Sequence, residues 1–380
     1  LYSSAASDVY KRQGIQVRKI QTWVFLFAGA LAGLAGAVMV VGVEGRMRIS
    51  AGETMGFMGF LAAGMAGNNP LLLILSALEK GMNELTTILI CMVSAGTPII
   101  YALLGDLIGQ RTGITSLSVE GSMLCGACVG FAVAAGSGSL FLAVLCAAIA
   151  GGLIGLIQAF LSISRKSNMM ATGFILIFFA QGLTTFFGRS QLGASLGKSF
   201  SLAIPVLSKI PVIGPAFFQQ DILTYIAYVL PVLAWWFLTK TRTGLVLCSV
   251  GERPDVTRAY GYNPVVLQYG AVIFAGVLAG IGGAHMSVIY AMSWANNMIN
   301  GRGIIASSLV ILCSWKPQRA YLAAYLFGLA QALQIFFQIH EVPISMYVTL
   351  MMPYLFTLVA LAIISTSKKP SMPEQLKIIT

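Results

Sequence analysis

Charge is what this chain has least of: Asp, Glu, Lys and Arg together make up 9% of its 380 residues, and histidine occurs twice. Neither His285 nor His340 has a partner at the spacing that a metal site or a nucleophilic triad requires, so enzymatic readings are weak and no cofactor is expected. Cysteine is sparse as well, six residues in or beside apolar runs. Cys125-x-x-Cys128 has no second pair and no neighbouring histidine, so these thiols read as small packing residues and no metal site is expected. A nucleotide site is missing too. Gly193–Ser199 reads GASLGKS, one residue short, between its glycines, of the phosphate-loop pattern. Residues 1–13 lack the long apolar stretch of a signal peptide and fit nothing downstream, so they read as a non-native, adapter-like segment.

Apolar residues, by contrast, make up 57% of the chain, and the mean hydropathy is +0.85. Such values lie far outside soluble domains and identify an all-α polytopic membrane protein whose main partner is the lipid bilayer. The 41 glycines make it a Gly-rich helix bundle. The net charge of +11 is spread over short loops instead of one basic face interleaved with aromatics, so no nucleic-acid partner is expected. Apolar runs at 85–108, 119–135, 139–163, 170–187, 222–239, 266–290, 320–338 and 346–366 are long enough, some only barely, to cross a bilayer core. The run 303–315 is too short and is entered through Asn300-Gly301-Arg302-Gly303. It reads as a half-helix meeting irregular backbone, and 105–121 as a second, possible re-entrant stretch, which gives a bundle with broken or re-entrant helices. Arg165/Lys166, the stretch 240–258, Lys316/Arg319 and Lys368/Lys369 fall on one side, the cytoplasmic one. The stretch 188–221 and the loop 293–300 fall on the other.

One segment occurs twice. Residues 14–82 recur without a gap at 261–329: Gly29 and Gly33 match Gly276 and Gly280, Gly56 matches Gly303, Pro70 matches Pro317 and Gly81 matches Gly328. The expected organisation is a C-terminal fragment of a first module at 14–81 and a complete second module at 82–380, whether by true fusion or by the joining of two neighbouring genes. Gly276-x-x-x-Gly280, with Gly283 one turn on, is a close-packing surface.

Few polar residues interrupt the apolar runs, and these are the candidates for a substrate pathway. Glu120, preceded by Ser116 and Ser118, must face the interior, because a carboxylate facing lipid costs ~2.5 kcal/mol or more. Either it lines a path or it caps or pairs with a neighbouring helix. Arg302, after Asn297 and Asn300 and between two glycines, either contacts substrate or ties down its turn. Asn168, Thr172 and Gln181 recur near the helical period, and hydrogen bonding between helices is their default role. On the cytoplasmic side, Gly251, Glu252, Arg253, Pro254, Asp255, Arg258 and Gly261 form a mixed-charge stretch with a short helix starting at Pro254 and ending near Gly261. A docking element and a merely solvated loop helix are both open on composition.

The string GERPDVTRAYGYNPVVLQYGAVIFAGVLAGIGGA (Gly251–Ala284), then GRGIIASSLVI (Gly301–Ile311) and Trp315-Lys316-Pro317, resembles the permease subunits of ABC importers for nucleosides and simple sugars, relatives of the branched-chain amino acid and ribose permeases. Thr97–Ala127, Ile210–Tyr225 and Thr241–Glu252 agree in family order, so the resemblance covers nearly all of 82–380, and 14–81 is similar to part of a companion permease. The resemblance implies a membrane subunit without catalytic residues, working with cytoplasmic ATPase subunits, a companion permease and an extracytoplasmic substrate-binding lipoprotein at a bacterial cytoplasmic membrane. It makes Gly251–Tyr262 the coupling helix, with Arg253 where the family has Asn and Val256-Thr257 in place of an alanine pair. Ser116 stands where the family carries an Asn. The alternatives are a branched-chain amino acid permease and, from another class, a secondary transporter, which needs a buried ion-coupling acid. Glu120 and Asp106 are the membrane-proximal acids available in the second module.

Overall fold

The computed structural model describes residues 70–196, 201–203, 208, 212–340, 346–365 and 373–374. The chain divides into two compact units, 1–83 with 336–349 and 84–335 with 350–380. Residues 1–13 and most of the first repeat copy lie outside the described residues. The described part of the first unit is 70–83, 336–340 and 346–349. Everything functional below belongs to the second.

The apolar runs become helices in the order expected. They are α1 (Pro70–Arg111), α2 (Val119–Ser137), α3 (Leu140–Ala159, continued by a π turn to Ser164) and α4 (Met169–Phe187). Next come α5 (Ile213–Phe218), α6 (Ile222–Lys240), α7 (Arg242–Glu252) and α8 (Pro254–Ala259). The series closes with α9 (Pro264–Ala284, continued by a π turn to Tyr290), α10 (Arg302–Leu312), α11 (Ala320–Ile339) and α12 (Met346–Ser365). The only strands among the described residues are β1 (Ser201–Ala203) and β2 (Gln219–Asp221), paired antiparallel with Ser201 opposite Asp221. Helix starts carry side-chain caps: Asn168, Asp221, Thr241 and Asn263 each accept a hydrogen bond from a backbone N–H of the first turn. α1 runs unbroken through Met82.

Among the described residues seven helices are long and apolar enough to cross a membrane, and their faces are inverted relative to a soluble bundle. On α3 the outward stripe is Phe141, Leu145, Ile149, Leu153, Leu156 and Phe160, all exposed, while the inward stripe is Ala143, Ala147, Gly151, Gly155 and Gln158. Each large apolar side chain left in water forgoes roughly 1.5–3 kcal/mol of burial. Such a face is stable only against lipid, and the small inward residues let helix backbones approach. The approach is closest where α9 crosses α2 and α3. A Cβ on Gly280 would collide with the Ala147 carbonyl, and one on Gly283 with the Met123 carbonyl. The Gly276–Gly283 surface is therefore a packing seam.

The loops gather at two ends of the bundle. At one end Arg111, Gly251 and Trp315 meet. At the other, Ser195 bridges to Ser293, and the Leu196 N–H donates to the Met292 carbonyl at 2.8 Å. Residues 112–118 join α1 to α2 as irregular backbone, with Thr112, Ile114, Ser116 and Ser118 all buried. Such backbone is tolerated at membrane depth only inside protein.

Candidate functional site

α10 is a half-helix. Its 11 residues span about 16 Å, half a bilayer core. It starts where Asn297, Asn300 and Gly301 take positive φ of 55°, 47° and 82°, a conformation that asparagine tolerates and glycine adopts freely. The N-terminal turn of any helix leaves backbone N–H groups unpaired, and here Glu120 supplies the partner. Its Oε1 accepts from the Gly301 N–H at 2.7 Å and its Oε2 from the Gly303 N–H at 2.6 Å. Glu120 is 3% exposed. Charged hydrogen bonds contribute roughly 1.5–3 kcal/mol each, and the helix dipole up to about 2 kcal/mol more. Together these offset the ~2.5–3.5 kcal/mol cost of a carboxylate in the bilayer. Gly303 is needed for the fit, since a Cβ there would strike the Glu120 backbone.

The other pathway candidates separate into two places. Ser116 and Ser118, 2% and 1% exposed, share a 2.7 Å hydrogen bond just before Glu120. Ser118 occupies the N-cap position of α2 but spends its hydroxyl on Ser116 instead of capping. Arg302, part-buried, donates to the Met286 sulfur and lies over the Tyr290 ring, 5.6 Å from its centroid. Asn297 accepts from Gln181 Nε2 at 3.2 Å, a bond between α4 and the 293–300 loop. Tyr290 also edges a cavity of about 250 Å³ lined by Ser94, Gln219, Gln220 and Asp221. Asn168 is elsewhere. It is exposed, caps α4 through the Met170 and Ala171 N–H groups, and lies roughly 20 Å along the helix from Gln181.

The stretch Thr241–Tyr262 folds as two short helices. Pro254 occupies the first turn of α8, with Asp255 beside it and Arg258 in the last turn, each sign suited to its end of the helix dipole. Gly261 follows at φ 84°. Thr257 is buried, and its hydroxyl meets that of Ser249 at 2.9 Å, so one of the two residues in place of an alanine pair fastens α8 to α7. Glu252, Arg253, Asp255 and Arg258 are exposed, as is Tyr260 at 79%. Arg253 lies 3.7 Å from Glu374. Gly251 is pressed against the Arg111 carbonyl with no room for a side chain.

Two buried clusters could not be read as clusters from the sequence, because each includes a residue from far along the chain. His285 Nε2 lies 3.3 Å from Asp221 Oδ1, with Thr224 bonded to the same carboxylate at 2.6 Å. Asp106 accepts from Gln110 Nε2 at 2.7 Å, and Gln110 Oε1 accepts from Trp315 Nε1 at 2.8 Å. Among the described residues no three His, Cys, Asp or Glu side chains are grouped to hold a metal ion. Cys125 and Cys128 are buried free thiols.

Lipid-facing helices around a glycine seam, a half-helix ending inside the bundle and an exposed polar helix pair at the basic end define a multi-pass membrane transport subunit. The chain belongs to the family described as branched-chain amino acid transport system / permease component, whose profile matches residues 87–366. It is 32% identical over 300 residues to a nucleoside ABC transporter permease protein, NupC, of Lactococcus lactis, covering 74% of this chain and 93% of that one. It is 32% identical over 280 residues to the guanosine ABC transporter permease protein NupQ of Bacillus subtilis, covering 70% and 87%. A Haloferax volcanii protein provisionally named a glucose ABC transporter permease, TsgC13, is 38% identical over 247 residues, 64% of this chain and 75% of its own. No solved structure matches. The protein is thus an ABC permease component and not itself an enzyme, and its family implies ATPase, substrate-binding and companion-permease partners.

Proposed function

We propose that this protein is the membrane-spanning subunit of an ATP-driven importer for nucleosides or simple sugars in a bacterial cytoplasmic membrane. Cytoplasmic ATPase subunits dock on Gly251–Gly261, a companion permease completes the path, and an extracytoplasmic lipoprotein delivers substrate. The names of the relatives support the substrate class. The observation that carries the reading is the α7–α8 pair: its charged residues Glu252, Arg253, Asp255 and Arg258 are exposed at the basic end of the bundle, while Thr257 and Gly251 anchor its inner face. Charged groups so displayed on a helix pair whose inner face is fixed to the bundle suit a polar docking surface.

The secondary-transporter reading requires a carboxylate free to exchange an ion in the membrane. Glu120 is committed through both oxygens to two backbone N–H groups, which speaks against it; Asp106 takes the Gln110 bond on Oδ2 alone. Ser116, Ser118, Asn297 and Arg302 remain the pathway candidates, with Glu120 holding the half-helix beside them. The 82–380 module is the functional unit in this reading, and 14–81 is a fragment of a companion. The test is reconstitution with the ATPase, companion permease and binding protein, followed by uptake of labelled nucleosides and hexoses. ATP-dependent accumulation of one class supports the reading. Gradient-driven uptake indifferent to ATP would overturn it.

A further inference from the structure

The half-helix α10 is gripped at both ends by one short stretch of chain. At its N-terminus Glu120 takes the Gly301 and Gly303 N–H groups. Beyond its C-terminus, the chain turns through Ser314 and Trp315, at φ 51° and 54°, and this turn is held by the last residues of α1. Arg111 donates from Nη2 and Nε to the Trp315 carbonyl at 2.6 and 3.1 Å, and Gln110 accepts from the indole N–H. Trp315 is 3% exposed and Gln110 4%. The connection from Gln110 to Glu120 is buried except at Arg111, Thr115 and Leu117, which are half-buried, and it is fastened to α9, where Gln268 donates to the Thr112 carbonyl at 3.1 Å. The α7–α8 pair touches this strut at Gly251, which sits on the backbone of Arg111 and Gly113, closer than any side chain would permit.

A docking loop, a strut and a half-helix are therefore in direct series. We infer that Gln110 and Arg111 are positioning residues for energy coupling, transmitting displacement of the α7–α8 loop at Gly251 to α10 through the Trp315 turn. Arg111 is bidentate on one carbonyl, and its own carbonyl is the surface on which Gly251 rests. A rigid fork of donors fixes direction as well as distance. The half-helix, which begins at Arg302 and has Glu120 on its first turn, is the element such a displacement would move.

The inference rests on the importer reading, and the experiment separates the two. The full chain is reconstituted with its ATPase, companion and binding protein, and substrate accumulated per ATP hydrolysed is measured for the unmodified protein and for Arg111→Met, Arg111→Lys and Trp315→Phe. Arg111→Met is expected to lower that ratio about tenfold, within the range of ordinary coupling energies, with insertion, assembly and basal ATP hydrolysis unchanged. Arg111→Lys, which keeps a donor, should recover part of the loss. Trp315→Phe keeps the ring and deletes the bond to Gln110. It should lower the ratio in the same direction, and it carries the test if Arg111→Met fails to insert. A ratio unchanged in both Arg111→Met and Trp315→Phe, or uptake and hydrolysis falling together with assembly, overturns the inference while leaving an ATP-driven importer. An unmodified complex whose uptake ignores ATP overturns both.

Discussion

Replacing Glu120 separates a helix cap from a substrate ligand. In the native structure both carboxylate oxygens are occupied by the Gly301 and Gly303 N–H groups. Alanine at this position would leave two buried donors unpaired at about 1–3 kcal/mol each. The charge penalty of ~2.5–3.5 kcal/mol would vanish with the carboxylate, but so would the dipole interaction of up to about 2 kcal/mol. Taken at the middle of these ranges, the net expectation is a loss of about 2 kcal/mol for Glu120→Ala. Glutamine keeps one acceptor and turns an NH2 group toward the second N–H, so about half of the hydrogen-bond loss applies while the charge penalty is still relieved. Glu120→Gln should therefore be clearly milder, within about 1 kcal/mol of the unmodified protein. Thermal unfolding in detergent, followed by thiol reactivity of the buried cysteines, gives the order of stabilities, and uptake in vesicles is measured alongside. A cap predicts that uptake tracks stability: Ala severe, Gln mild. The reasoning fails if Ala is as stable as the unmodified protein, or if Gln retains full stability yet abolishes uptake, in which case the charge acts on substrate.

Other outcomes follow from the same geometry. Gly280→Leu should insert yet fail to assemble or melt well below the native protein, because the α3–α9 approach at Ala147 leaves no room; overpacking costs roughly 1–3 kcal/mol or more, and a native-like melt would contradict the seam. His285→Leu removes one hydrogen-bond partner of buried Asp221, which keeps its two Thr224 bonds, and should cost about 1–3 kcal/mol, with the Asp221→Asn/His285→Leu pair partly restored in the same melting assay. Glu252→Arg, or Gly261→Trp at φ 84°, should leave insertion intact while cutting substrate-stimulated ATP hydrolysis in the reconstituted complex; unaltered stimulation would remove α7–α8 from the docking surface. A chain starting at Met82 should insert and assemble with its partners, and its degradation where the full chain assembles would show that residues 1–81 are required.

The membrane spans were legible because hydropathy and helical period are local properties: a run such as 119–135 needs no knowledge of its neighbours to become α2 at Val119–Ser137. The half-helix was legible for the same reason, its shortness and its flanking Gly301 and Gly303 standing in eleven consecutive positions of α10 and the turn before it. So was α8, since Pro254 and Gly261 act on their own backbone. Small residues at Gly276 and Gly280 announced a close contact without naming its partner. What the linear order could not supply was pairing. Glu120 and Gly303 are 183 residues apart, Arg111 and Trp315 are 204 apart, and Asp221 and His285 are 64 apart. Asn168, equal to the others as a polar residue in an apolar run, turned out to spend its side chain on its own helix. Which polar group meets which is decided by the crossing of helices along the glycine seam, because a buried donor or acceptor must be satisfied by whatever the packing brings within 3 Å or so, and packing is a property of the assembled bundle alone.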